Sequence, residues 1–73
     1  MIMENVVFVY VDKPRIDAFM ELLTEDGYTK VTDVDLGVEQ YFSINTKEKM
    51  FLRILTCSTE KVLTVEDFID LFI

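Results

Sequence analysis

The chain has 73 residues, of which 51% are apolar, and it carries 14 acidic and 7 basic side chains for a formal charge of −7. This acidic balance disfavours binding to nucleic-acid backbones and to anionic membranes, because both need clustered Lys and Arg side chains. The high apolar content excludes a disordered chain. We expect one small domain over residues 1–73, with marginal stability unless association adds to it.

The cellular compartment is predicted from the cysteine count and the apolar runs. Cys57 is the single cysteine, so no disulfide within the chain can support the fold. The N-terminal region lacks the basic pattern of a secretory leader, and no apolar run approaches the roughly 20 residues that span a bilayer. These features predict a reduced, cytoplasmic protein.

A strand followed by a helix is predicted at the start of the chain. Residues 6–11 (VVFVYV) are β-branched and aromatic without polar alternation, which is typical of a strand buried on both faces. Asp12 is a suitable N-cap and Pro14 suits a first helical turn. The apolar stripe of the helix then comprises Ile16, Phe19, Met20 and Leu23. Gly27 supplies the left-handed residue that commonly ends a helix.

Extended segments follow the first helix. Residues 28–36 and 38–44 favour strand, either as two strands or as one long bent strand around Gly37. Residues 50–57 (MFLRILTC) predict a further strand. The polar residues 45–49 between the last two segments predict an antiparallel hairpin.

A second, shorter helix is predicted at the C-terminus. Thr64 followed by Asp67 resembles a capping box, and Leu63 and Phe68 have the spacing of a hydrophobic staple. Its apolar stripe comprises Val65, Phe68, Ile69 and Phe72. So short a helix is unstable alone, so we expect it to dock on the rest of the domain.

Together these elements predict an α+β fold with the order β-α-β-β-(β)-α. We expect a two-layer sandwich, in which two helices share one face of a mixed three- to four-stranded sheet, as a variant of the ferredoxin-like arrangement. The strand–helix–strand start implies a right-handed crossover and a parallel pair in an otherwise antiparallel sheet.

The sheet is predicted to have an uncovered apolar face. In strand 50–57, Met50, Leu52 and Ile54 point to one face, and Phe51 and Leu55 point to the other with Arg53. Two helices on one face leave the second face exposed, and monomers usually avoid such patches. Self-association or a protein partner would cover it. Alternatively, the second helix and segment 58–63 cover opposite faces and close the core within one chain.

Residues for catalysis are scarce. The chain has no histidine, one cysteine and two glycines, which disfavours a Cys-His pair, a zinc cluster or a phosphate-binding loop. Asp33 and Asp35 share a strand face and lie near Glu39, so they could share a cation, although a solvated face or a charge-protected edge fits the same pattern. We expect no enzyme activity and no cofactor. The predicted partner-binding residues are Phe51, Arg53, Leu55, Asp33, Asp35 and Glu39.

Residues 6–37 (VVFVYVDKPRIDAFMELLTEDGYTKVTDVDLG) carry a pattern with Asp12, Pro14, Gly27, Thr32 and Val34 at its turns and second strand. This β-α-β pattern resembles the opening of the ferredoxin-like regulatory domains of the ACT and PII-like groups. The resemblance implies an oligomeric sheet and a small ligand at an interface. Because Arg15 stands where ACT domains usually carry a ligand-binding glycine, the resemblance transfers no binding residue to this chain.

Three functions are compatible with the sequence. The first is a non-catalytic protein-interaction module, such as a regulator, adaptor or inhibitor of the kind that phages encode, acting through an apolar sheet face or edge. The second is a ligand-sensing domain of the ACT/PII-like type. The third is an acidic mimic of nucleic acid that blocks a DNA-binding protein, although the apolar content argues against it.

Overall fold

Five strands and two α-helices make up the part of the chain that the structure, a computed structural model, describes: residues 5–31, 37–56 and 61–73. In chain order they are β1 (Val6–Tyr10), α1 (Ile16–Glu25), β2 (Thr29–Lys30), β3 (Tyr41–Asn45), β4 (Met50–Ile54), β5 (Val62–Leu63) and α2 (Val65–Phe72). A 3₁₀ turn over Lys13–Arg15 precedes α1. The predicted α+β class with a mixed sheet and two helices is confirmed, but the sheet has five strands rather than three or four.

The end of α1 follows the local chemistry of its sequence. Gly27 has a φ of +92°, in the left-handed region, as the sequence predicts. The N–H of Tyr28 donates to the carbonyl oxygen of Leu23 at 2.9 Å, and the N–H of Gly27 donates to that of Thr24 at 3.1 Å. This pair of bonds is a Schellman motif, which satisfies the last carbonyls of the helix and turns the chain into β2.

The strand order is β2-β4-β3-β1-β5. The β3–β4 hairpin forms as predicted, with Asn45 paired to Met50 across the turn. This hairpin lies between β1 and β2, so the two strands joined by α1 are not neighbours. The parallel pairs are instead β1 with β5 and β2 with β4.

Several predicted strand limits are wrong. Strand β3 begins only at Tyr41, because the preceding residues 37–40 form a loop. Strand β5 was not predicted, because a segment of two residues shows no alternation of apolar and polar side chains. It is a strand because it pairs with Phe8 and Val9 of β1. Residues 32–36, the C-terminal part of the predicted strand 28–36, and Cys57 lie outside the described residues.

The core lies on one side of the sheet, where aromatic rings from both layers meet. Phe19 of α1 makes edge-to-face contacts with Phe42 of β3 at 5.1 Å and with Phe68 of α2 at 5.6 Å between ring centroids. Both helices therefore pack on the same sheet face. The buried apolar residues are Val9, Val11, Ile16, Phe19, Leu23, Tyr28, Phe42, Ile44, Phe51, Val65 and Phe68.

Helix α2 docks through its first half. The Thr64 hydroxyl accepts a hydrogen bond from the N–H of Asp67 at 3.1 Å, which confirms the predicted N-cap. Phe68 is fully buried, whereas Ile69 and Phe72 are 37% and 36% exposed, so the predicted apolar stripe is only partly covered. The stability that α2 contributes therefore depends mainly on Phe68.

Two matched truncations in α2 test this dependence. We expect Phe68→Ala to lower the free energy of unfolding by about 3–5 kcal/mol, because the ring leaves a cavity in the core. Phe72→Ala removes the same ring from a half-exposed position and should cost clearly less. Urea denaturation followed by circular dichroism measures both, and equal losses would contradict the one-sided docking of α2.

Candidate interaction surface

The second face of the sheet carries apolar and neutral side chains that do not belong to the core. We call this surface the open face, and its strand residues are Val6, Phe8, Tyr10, Thr29, Tyr41, Ser43, Asn45, Met50, Leu52, Ile54 and Val62. None of these strand side chains bears a charge. Tyr10 and Met50 are its most exposed large apolar side chains, at 42% and 40%. The alternative in which α2 and segment 58–63 cover opposite faces depends partly on residues 58–60, which lie outside the described part of the chain.

A continuous row of side chains crosses the middle of the open face. The register places Val62 beside Phe8, Phe8 beside Ser43, and Ser43 beside Leu52. All four residues are half-buried in the isolated chain. The row therefore has its smallest side chain, Ser43, between the two large apolar side chains of Phe8 and Leu52 at the centre of the open face.

A tyrosine pair forms one end of the open face. Tyr10 and Tyr41 are directly opposite each other on β1 and β3, with ring centroids 5.3 Å apart in an edge-to-face arrangement. The amide of Gln40 donates a hydrogen bond to the Tyr10 hydroxyl at 3.3 Å. Tyrosine combines a large apolar ring with a polar tip, which is why it is enriched at protein interfaces.

The structure separates Phe51 and Leu55, two of the residues predicted from sequence to bind a partner. Phe51 is 2% exposed and belongs to the core under the helices. Leu55, just after β4, is 52% exposed, so another molecule could reach it. Asp33 and Asp35 lie outside the described residues.

Glu39 and Arg53 form a buried ion pair at the edge of the helix-covered side. Their side chains are 7% and 8% exposed, and the carboxylate oxygen Oε1 lies 3.9 Å from the Arg53 Nη2. The same Nη2 donates to the backbone oxygen of Glu39 at 2.7 Å. The Glu39 carboxylate also accepts from the N–H groups of Gly37 and Val38, at 2.9 and 3.2 Å. Their role is to fasten the loop before β3 to strand β4.

An uncovered sheet face is predicted from the sequence but assigned to the side of Phe51 and Leu55, and the alternation in β3 could have identified the correct side. In the segment YFSIN, Phe42 and Ile44 alternate with Tyr41, Ser43 and Asn45, which predicts that the second set faces away from the core. The hairpin register then places Leu52 beside Ser43 on the same face. Strand β4 alone does not show this, because both of its faces are largely apolar.

Most of the exposed acids of the described residues lie on the helix layer, on the opposite side of the molecule from the open face. They are Asp17, Glu21 and Glu25 on α1, and Glu66, Asp67 and Asp70 on α2. Glu48, in the turn between β3 and β4, is also exposed. The described residues contain no group of three or more His, Cys, Asp or Glu side chains that could hold a metal ion. No helix among them is long and apolar enough to cross a membrane.

Arg15 joins the N-terminal ends of the two helices. Its guanidinium donates to Asp12 at 2.7 Å and also to Glu66 of α2. These hydrogen bonds lower the pKa of both carboxyl groups and raise the pKa of Arg15. Because the pKa of each carboxyl group is lowered in the folded chain, these hydrogen bonds stabilise the fold at neutral pH. This contribution begins to be lost as the pH falls below the ordinary pKa values, which are 4.5 for Glu66 and 3.8 for Asp12.

An apolar groove of about 240 Å³ runs between α1 and α2, lined by Arg15, Ala18, Phe19, Leu22, Val65 and Ile69. Arg15 is the one charged residue of this lining, and Asp12 and Glu66 already engage it. The groove therefore offers apolar contact rather than recognition of an anion.

The two arginines allow a matched test of buried and exposed ion pairs. We expect Arg53→Met to lower the free energy of unfolding by about 3–5 kcal/mol, because it leaves the buried Glu39 carboxylate without this cation. Arg15→Met removes the same charge from an exposed position, where ion pairs contribute little, and should cost much less. Denaturant titrations at pH 7 measure both changes. A loss no larger for Arg53→Met than for Arg15→Met would contradict the structural role of the buried pair.

No protein-family model, no curated protein and no solved structure matches this chain. Its function is therefore argued from the geometry of the molecule itself.

Proposed function

We propose that this chain is a non-catalytic protein-interaction module that binds a protein through the open face of its sheet. The observation that carries the proposal is the one-sided packing: both helices lie on the face of Phe42, and the face of Phe8, Ser43 and Leu52 is apolar, uncharged and outside the core. Such a module acts as a regulator, adaptor or inhibitor by contact rather than by chemistry.

The size of the open face limits how strongly it can bind. Three strands of five residues and two strands of two residues lie about 4.8 Å apart with a rise of about 3.3 Å per residue, which gives a footprint of roughly 300 Å². At about 25 cal/mol per Å² of apolar surface, covering it contributes up to roughly 8 kcal/mol. Association costs about 4–15 kcal/mol in lost translational and rotational freedom, so the net affinity is at most moderate. A reversible interaction suits a regulatory module better than a permanent assembly does.

The chemistry of the open face also favours a protein over other ligands. It presents aromatic and aliphatic side chains with neutral polar groups at Thr29, Ser43 and Asn45. Charged residues are depleted and aromatic residues enriched in the cores of protein interfaces. A nucleic acid would need cationic side chains, and the strand residues of this face provide none.

Site-specific photocrosslinking tests the proposal in cells of the source organism. A benzophenone amino acid replacing Leu52 lies on the open face, and the same amino acid replacing Thr24 lies on the exposed side of α1. We expect discrete covalent protein adducts from position 52 and none, or only diffuse ones, from position 24. Mass spectrometry identifies the adducts. Absence of an adduct at position 52, or identical adducts at both positions, would contradict the proposal.

A further inference from the structure

We infer that the protein bound by the open face is a second copy of this chain, stacked sheet to sheet to form a four-layer assembly with the helices outside. The inference rests on the proposed function, since it names the occupant of the same face. Three observations support it: the separation of charge between the two sides of the molecule, the position of the central strand, and the extent of the face.

The charge distribution favours a second copy over a basic partner. A basic protein would be attracted to the acids of the helix layer, such as Glu21 and Asp70, which lie on the far side from the open face. When two copies stack through their open faces, the sheets lie about 10 Å apart and the two acidic helix layers are roughly 30 Å apart. That separation is several times the Debye length of about 8 Å at physiological salt. Two chains of the same strong negative charge can therefore associate in this orientation without their helix acids meeting.

The sheet order places Ser43 at the centre of the open face. Strand β3 is the middle strand of the five, so a two-fold axis through the middle of the face passes beside Ser43. With the axis along the strands, β1 of one copy lies over β4 of the other. Phe8 of each copy then packs against Leu52 of its partner, on either side of the two facing Ser43 residues. This self-complementary arrangement is what an isologous dimer requires.

The extent of the open face sets the strength of the dimer. A footprint of roughly 300 Å² per copy is less than half of the roughly 800 Å² per partner that stable interfaces bury. The dimer is therefore expected to be reversible and concentration-dependent, with a dissociation constant in the micromolar range or weaker.

Sedimentation equilibrium of the purified full chain, from about 10 μM to about 1 mM, tests the inference at the concentrations where such a dimer forms. We expect the wild-type mass to rise with concentration toward twice the 8.6 kDa of one chain. Ser43→Arg places two like charges face to face at the centre of the interface and should raise the dissociation constant at least about 30-fold. Thr24→Arg, a matched charge change on the exposed side of α1, should leave it unchanged.

Circular dichroism and the thermal unfolding midpoint establish that each variant is folded. If Ser43→Arg does not fold, Leu52→Lys in the same central row replaces it. A wild-type chain that keeps the mass of one copy at the highest concentration overturns the inference, as does an equal response of Ser43→Arg and Thr24→Arg. If the chain keeps the mass of one copy and the photocrosslinking amino acid at position 52 captures a different protein, the proposed function stands and the second-copy inference fails. If neither dimer nor adduct forms, both fail.

Discussion

The fold depends on the packing of Phe19, Phe42 and Phe68, one ring from α1, one from the sheet and one from α2. These edge-to-face contacts bring both helices to the same side of the sheet, and each ring is almost fully buried. Aromatic side chains bury more area than any others, so in a chain of 73 residues a three-ring contact supplies a large share of the core. Because both helices are held on this side of the sheet, neither helix can cover the opposite side.

The one-sided core separates the surface of the molecule into two chemical layers. The helix layer carries the exposed acids, which keep it hydrated and discourage non-specific association. The opposite layer is a sheet surface of apolar and neutral side chains that ends in the Tyr10–Tyr41 pair. The ion pair of Glu39 and Arg53 stays inside as a fastening for the loop before β3, so it adds no charge to the open face. The helix side of the molecule is therefore charged and hydrated, whereas the sheet side is apolar and neutral.

The sequence predicts local structure better than it predicts which face of the sheet the two helices cover. The Schellman end of α1 at Gly27, the Thr64 cap and the β3–β4 hairpin each follow from a few neighbouring residues, and each is found as predicted. The strand order and the two-residue strand β5 depend on long-range pairing that no local pattern encodes. Arg53 was misleading, because an arginine in an apolar strand suggests a solvent-facing side. Here the buried Glu39 allows it to lie on the core side beside Phe51, which leaves Leu52 on the open face.

Solvent exposure of individual methyl groups reports directly on which face of the sheet is uncovered. The measurement is the relaxation that a soluble gadolinium chelate induces in methyl NMR signals of the chain at high dilution. One-sided packing predicts strong relaxation for Leu52 and Ile54 on the open face, and little for Val9 and Ile44 under the helices. Protection of Leu52 and Ile54 equal to that of Ile44 in a single copy would contradict it.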